Sequence, residues 1–383
     1  MSASTIRRIT ATPVVVPAHP DSLNSAGVVG EDLAFLTKFK LGATWSDFVH
    51  QPKWIVTLET DAGAIGIGET YRTVDAHEIE PLLPVLLGRD ILAMDWRQLP
   101  IPHCRVVDAF ESAVLDAAGK HLTLPVHQLL GGKVRDTIAC LGWTARRTPA
   151  DAGRKAKEAL DRGHTLFKFK IDDTDAPAAW LDAIRATCGT EMKVILDPNQ
   201  RWHDVATTRR LMEGVDRELL YCLEDPIDRQ DYAGHRTIRR ELGVPVFLHV
   251  ALPYLHQGQR IDDTLTALRE DCCDGFNFNG PMFAFVELCR IAQIAGKPVW
   301  HGSEVDLGIL ETNYLHACAA APACTVPSDI FGPLVRVDDL IEGDGVRIEN
   351  GFAAVPDGPG LGITLDRAAL ATYRSGPTLE VTR

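Results

Sequence analysis

The sequence predicts an α/β chain in which a parallel (β/α)8 barrel follows an α+β unit. Three observations predict it. From about residue 137 onward, short apolar runs alternate with amphipathic helical stretches. Eight such runs fall within about 190 residues, about 24 per repeat, which is the cadence of a closed parallel barrel rather than an open sheet. Nearly every run ends in a side chain able to ionise or to ligate a metal, and strand ends are where such barrels carry their chemistry.

The α+β unit occupies residues 1 to about 125. "KWIVTLETDAGAIGIGETY" alternates and turns at Asp61-Ala62-Gly63, a two-stranded hairpin pattern. Helical stretches follow at "DAHEIEPLLPVLL" and "VVDAFESAVLDAAGKHL"; in the second, Val107, Phe110, Val114, Leu115 and Ala118 recur at helical spacing. Gly63, Gly66 and Gly68 precede no strand-to-helix switch, so they read as turn and packing glycines rather than a phosphate loop. The predicted barrel strands are 137–143, 165–171, 193–197, 219–225, 244–249, 275–279, 297–301 and 324–328.

Bulk composition narrows the functional classes. The 383 residues are 45% hydrophobic, enough for a large core, and the net charge is 39 − 52 = −13 with the basic residues spread out. That argues against nucleic acid and anionic membrane surfaces as partners. No apolar run reaches membrane-spanning length, and "MSASTIRRITATPVVV" lacks the apolar core of a signal peptide. The nine scattered cysteines form no C-x-x-C, which predicts reduced packing residues and a cytoplasmic protein.

Read in order, the strand ends present Lys168 and Lys170, Asp197, Glu224, His249, Asn277 and Asn279, then His301. A single strand-end Asp is as readily a helix cap. The succession across six strands points instead to a site. Asp197 and Glu224, on adjacent strands, suit a hard divalent cation, which would hold a substrate carboxylate and stabilise charge on a carbon losing its proton. Lys168 and Lys170 lie two apart and share one strand face. Like charge and partial burial both favour a neutral amine, so one lysine is expected to act as a base while its neighbour holds the substrate carboxylate.

These residues resemble the enolase superfamily, in its mandelate racemase/muconate-lactonizing branch. "AFESAVLDAAGKHLTLPVHQLLGG" (109–132) resembles the junction between capping domain and barrel, "FKFK" the K-x-K strand, and "LDPNQRW" and "LEDP" the first two metal-ligand motifs. "HGSEVDLGILETNYLHACAAAP" resembles the seventh-strand region. The resemblance implies a modified TIM barrel, (β/α)7β, at 131–349, and an α+β capping domain at 1–130 to which 350–383 returns. It also implies Mg2+-assisted removal of the proton α to a carboxylate. By it Lys170 is the base, Lys168 its neighbour, and Asp197 and Glu224 metal ligands.

Two departures from that pattern stand out. The third ligand is usually a carboxylate on the fifth strand, where this chain has "VPVFLHVALP". Either His249 completes the site, with Mn2+ or another divalent metal then as suitable as Mg2+, or two carboxylates and more water serve. On the sixth strand, Asn279 falls where relatives place a Lys or Asp. His301 then remains the second acid/base, oriented by Asn277, Asn279 or Asp306, and Asp329 is a further substrate contact. A racemase needs two bases, whereas a dehydratase needs one base and one acid. The expectation is therefore a lyase that dehydrates a sugar acid or hydroxy acid. A racemase, epimerase or cycloisomerase is the runner-up, and a ligand-binding barrel without catalysis a minor alternative.

Asn199 in "LDPNQ", with Asn277, Asn279, Asp329 and Trp45, is expected to contact a polar small-molecule carboxylate. Specificity is expected from capping loops around 18–30 and 40–51, which contain Asn24, Lys40, Trp45 and His50, with Lys38 just ahead of the second. The resemblance further implies a homo-oligomer, dimer or octamer.

Overall fold

The computed structural model describes residues 4–26, 28, 50–102, 104–251, 255–343 and 345–383. Trp45, Lys38 and Lys40 lie outside them.

Three strands open the chain, β1 (Ile6–Val15), β2 (Pro52–Thr60) and β3 (Ile65–Glu69). β2 and β3 form the predicted hairpin, with Ile55 opposite Glu69 and Glu59 opposite Ile65. Its turn uses Gly63 at φ 84°, a left-handed backbone that glycine adopts without strain. Helix Val107–Leu122 lies on β3 backbone to backbone: a Cβ on Gly66 or Gly68 would collide with the carbonyl oxygens of Ala113 and Ala109. The predicted helix at 75–87 is α-helical only over Ala76–Ile79 and tightens to a 3-10 helix over Glu80–Leu86. Pro81 and Pro84 lack the amides an α-helix needs there.

The next strands are β4 (Thr137–Ala139), β5 (Gly142–Thr144), β6 (Leu166–Lys170), β7 (Lys193–Asp197), β8 (Leu220–Glu224), β9 (Val246–Ala251), β10 (Gly275–Phe278) and β11 (Val299–His301). β5 to β11 form one parallel sheet in chain order. The run at 137–143 divides. Its first half, β4, leaves the ring for a small antiparallel sheet with β12 (Ile348–Glu349) and β13 (Phe352–Ala354). The run at 324–328 makes only single parallel bridges, Cys324 to Val299 and Ser328 to Cys140, yet these join the two edges of the curled sheet. Pro327 removes a donor that a full ladder would need. The last strand, β14 (Leu379–Thr382), pairs antiparallel with β1, Ile9 opposite Val381.

Alternation along the barrel strands sorts side chains into two cores. Leu166, Ile195, Cys222, Phe247 and Trp300 fill the ring. Phe167, Phe169, Val194, Leu196, Leu248 and Phe278 face the surrounding helices. All nine cysteines are free and eight are buried, as packing residues should be. Among the described residues no helix is long and apolar enough to cross a membrane.

Candidate active site

Alternation explains the two lysines. Leu166, Lys168 and Lys170 share the inward face of β6, so the apolar residue sits low in the ring and the two amines rise toward its C-terminal end. Lys168 is locked in place: its Nζ lies 2.6 Å from Glu224 Oε2, 3.0 Å from Asp329 Oδ2 and 3.3 Å from Asp197 Oδ2. Burial works to lower its pKa, but Asp329, Glu224 and Asp197 outweigh burial and raise it well above the ordinary lysine value. The expectation that like charge and burial would free a proton fails at Lys168, because the sequence reading left out the three facing carboxylates. Lys170 stands higher, its side chain 14% exposed against 3% for Lys168, with Nζ 2.5 Å from Asp197 Oδ2 and 2.8 Å from Asn199 Oδ1.

The carboxylates are held by their own partners. Asp197 Oδ1 accepts from the Asn199 amide at 3.0 Å. Burial alone would raise its pKa, but Lys170 and Lys168 bring it below the usual carboxylate range. Glu224 Oε1 accepts from Asn277 Nδ2 at 2.6 Å. Burial and the nearby Asp197 push the Glu224 pKa up to about 8. His249 follows on β9, its Nδ1 3.9 Å from Glu224 Oε1. Burial and Arg229 lower its pKa well below the ordinary histidine value, leaving the neutral imidazole that can ligate a metal.

The donor groups gather as a divalent cation would require. Oxygens of Asp197 and Glu224 converge on one point, now held by the Lys168 ammonium. Ligand atoms of Glu224, Asp225 and His249 lie within 4.8 Å of one another. Asp225 is already committed, accepting from Arg229 Nε at 2.5 Å and the His249 amide at 2.9 Å, so it belongs to the scaffold. Asn277 Oδ1 is buried without a hydrogen-bond partner. Two carboxylates and an imidazole fit a divalent cation, and the imidazole makes room for ions softer than Mg2+.

His301 is not in the cavity. On β10 and β11 the register pairs Asn277 with Trp300 and Phe278 with His301. Asn277 and Trp300 point into the ring, so His301 points out, stacked 3.9 Å from the Tyr314 ring and 4.3 Å from Phe285. Its Nδ1 lies 2.7 Å from the Gly302 carbonyl oxygen, and burial drops its pKa to about 3. None of the three expected orienting partners serves it. Asn277 holds Glu224, Asn279 adjoins His249, and Asp306 binds Lys53, Ser303 and Tyr314.

The cavity at this end of the ring holds about 40 Å3. Its lining includes Arg72, Trp143, Ser303 and Glu304, which the sequence reading missed, beside Lys168, Lys170, Asn199, Glu224, His249, Asn277 and Asp329. A far larger groove of about 1260 Å3 runs between residues 95–102 and helix Met282–Ile294, but it carries none of the strand-end groups. Chemistry, not volume, locates the candidate site. Of the polar residues expected in the capping loops, Asn24 accepts from the Arg146 amide at 3.0 Å, and His50 is exposed.

A family model described as Enolase C-terminal domain-like matches residues 151–369, more than half of the chain. The chain belongs to the enolase superfamily. It falls in the mandelate racemase/muconate-lactonizing branch, among relatives of differing chemistry. It is 27% identical to muconate cycloisomerase 1 of Pseudomonas putida over 78% of this chain and 80% of that one. It is 28% identical to a probable glucarate dehydratase of Streptomyces coelicolor, over 96% and 90%. In structure it resembles the N-succinyl Arg/Lys racemase of Bacillus cereus, with a TM-score of 0.79 at 20% identity over 98% of this chain and 100% of that one. It resembles likewise the muconate-lactonizing enzyme of Pseudomonas fluorescens, with a TM-score of 0.78 at 25% identity over 97% and 100%. These members of the superfamily are lyases and isomerases, and the shared fold and family leave the reaction open among them.

Proposed function

We propose that this protein removes the proton α to a carboxylate in a small polar acid, and that the outcome is loss of water from a sugar acid or hydroxy acid. The observation that carries the reading is Lys170, an amine that reaches the cavity while the lysine beside it is immobilised among three carboxylates. With Asn277 on β10 and His301 turned outward, β10 and β11 supply the cavity with no second lysine or histidine from their strand ends. One lysine base, with no second lysine or histidine facing it from the ends of β10 and β11, favours elimination over racemisation.

In this reading Lys170 takes the α-proton and Lys168 anchors the substrate carboxylate, with Asp329 fixing Lys168 from the far side. Asn199 orients Lys170. Asp197, Glu224 and His249 would hold the divalent metal, which when bound supplies the Lewis acid for charge building on the substrate carboxylate. Arg72, Ser303 and Trp143 shape the remainder of the pocket, while Asn279 is buried outside its lining.

The test is a mass-spectrometric screen of sugar acids, hydroxy acids and amino-acid derivatives in D2O with Mg2+ or Mn2+. A product lighter by one water supports the reading. A substrate of unchanged skeleton that gains α-deuterium and inverts would replace it with racemisation. Two variants sharpen the screen. Asp197→Ala is expected to weaken Mn2+ binding at least ~10-fold by titration calorimetry, since it removes one of two carboxylate donors. His301→Asn is expected to leave turnover within about threefold of wild type, because general acid–base roles carry about 10²–10⁴-fold and this ring does not face the cavity. A hundredfold loss in a folded His301→Asn protein would refute that placement.

A further inference from the structure

Glu304 lies in the loop after β11 and lines the same cavity as Lys170, yet the reading above gives it no role. Lys170 rises from β6 and Glu304 follows β11, so the two approach the cavity from well-separated parts of the ring.

The loop that carries Glu304 is built with unusual care. Val305 has φ 63°, a left-handed backbone that a β-branched residue adopts only under strain. Several contacts hold it there. Asp306 Oδ2 accepts from the Glu304 amide and from Ser303 Oγ, both at 2.8 Å, and Arg336 Nη2 donates to the Val305 carbonyl at 2.9 Å. Strain that the surroundings enforce so fully marks a side chain whose direction matters. The Glu304 carboxyl group lies 3.2 Å from Arg72 Nη2, and both side chains are nearly buried.

We infer that Glu304 is the acid of this site, giving its proton to the hydroxyl that leaves the β-carbon. The inference rests on the dehydration reading. Its balance is as follows. Lys170 Nζ takes the α-proton, and the C–H electron pair becomes the enediolate of the substrate carboxylate. That pair then forms the α–β double bond as the β C–O bond breaks, and the departing oxygen takes the Glu304 proton and leaves as water. Lys170 ends as ammonium beside Asp197, and Glu304 ends as carboxylate beside Arg72. Each partner therefore compensates the charge that develops during the reaction. Exchange with solvent resets both groups.

The test compares wild type, Glu304→Gln and Lys170→Ala on the acid found by the screen, in D2O with Mg2+. Two rates are read: α-deuterium uptake into recovered substrate, and water loss. In Glu304→Gln, water loss should fall by about 100-fold or more while α-deuterium uptake persists within about tenfold. Lys170→Ala should lose both. Water loss within about threefold of wild type in Glu304→Gln overturns the inference and leaves the dehydration reading intact. So does equal loss of both rates, since that is the result of a positioning residue. If Glu304→Gln does not fold, Glu304→Ala with added acetate decides: a dose-dependent recovery of water loss supports the role, and none refutes it. If wild type shows neither rate on any acid, the dehydration reading itself fails.

Discussion

Lys170→Ala is expected to lower turnover by about 10³–10⁴-fold, the upper range for a positioned base, while the protein folds as wild type does and keeps its capacity to bind metal. Lys170 is the more exposed of the two amines, and its removal opens no sealed core. Its loss should also leave Asp197 better able to take a cation, because the contact at 2.5 Å disappears. Titration with Mn2+ in parallel with the D2O assay checks both halves. Residual α-exchange above a hundredth of wild type would mean that another group in the cavity is the base, with the neutral His249 the first to examine.

Lys53→Met is expected to cost about 3–5 kcal/mol of folding free energy, the usual penalty for leaving buried charge without its partner. Lys53 Nζ lies 2.5 Å from Asp306 and 2.7 Å from Glu69, all three side chains essentially sealed from solvent. Burial works to lower the lysine pKa, but Asp306 and Glu69 outweigh it and keep the ammonium. Glu69 also accepts from the amides of Leu307 and Leu310 at the start of helix Gly308–Ala320, where a carboxylate suits the helix dipole. The triad ties the hairpin β2–β3 to the loop that carries Glu304. The variant should therefore also disturb elimination more than α-exchange. Urea denaturation followed by tryptophan fluorescence measures the first effect, and a change below 1 kcal/mol would show that water reaches the triad.

Much of this was legible in sequence because a period of two is a strong constraint. Once Leu166 is apolar and inward, Lys168 and Lys170 must follow it, and the same reasoning carries Asp197, Glu224 and His249 to one end of the ring. The reasoning failed at His301 because β11 has only three residues, too few to reveal an alternation. Trp300 beside it was the available signal, since a large ring belongs in the barrel interior with Phe247, 4.9 Å away. Glu304, Arg72 and Trp143 escaped for other reasons. Glu304 and Arg72 sit on connections with no period to read, and Trp143 falls in a run that reads as one strand but that the structure divides. The fate of Lys168 was beyond sequence, because it depends on three carboxylates that come together only when the sheet curls.

The pairing of β14 with β1 sets a timetable for biosynthesis. Arg8 and Glu380, which meet across that pair, are 372 residues apart in the chain. At about 5–20 residues per second, roughly 20–75 s separate the synthesis of one from that of the other. Throughout that interval β1 has an open edge while the whole barrel is translated, and such an edge is a template for pairing with foreign strands. Chaperone occupancy of nascent chains should thus persist on the N-terminal sheet after the barrel has closed, and end only when the final strand docks.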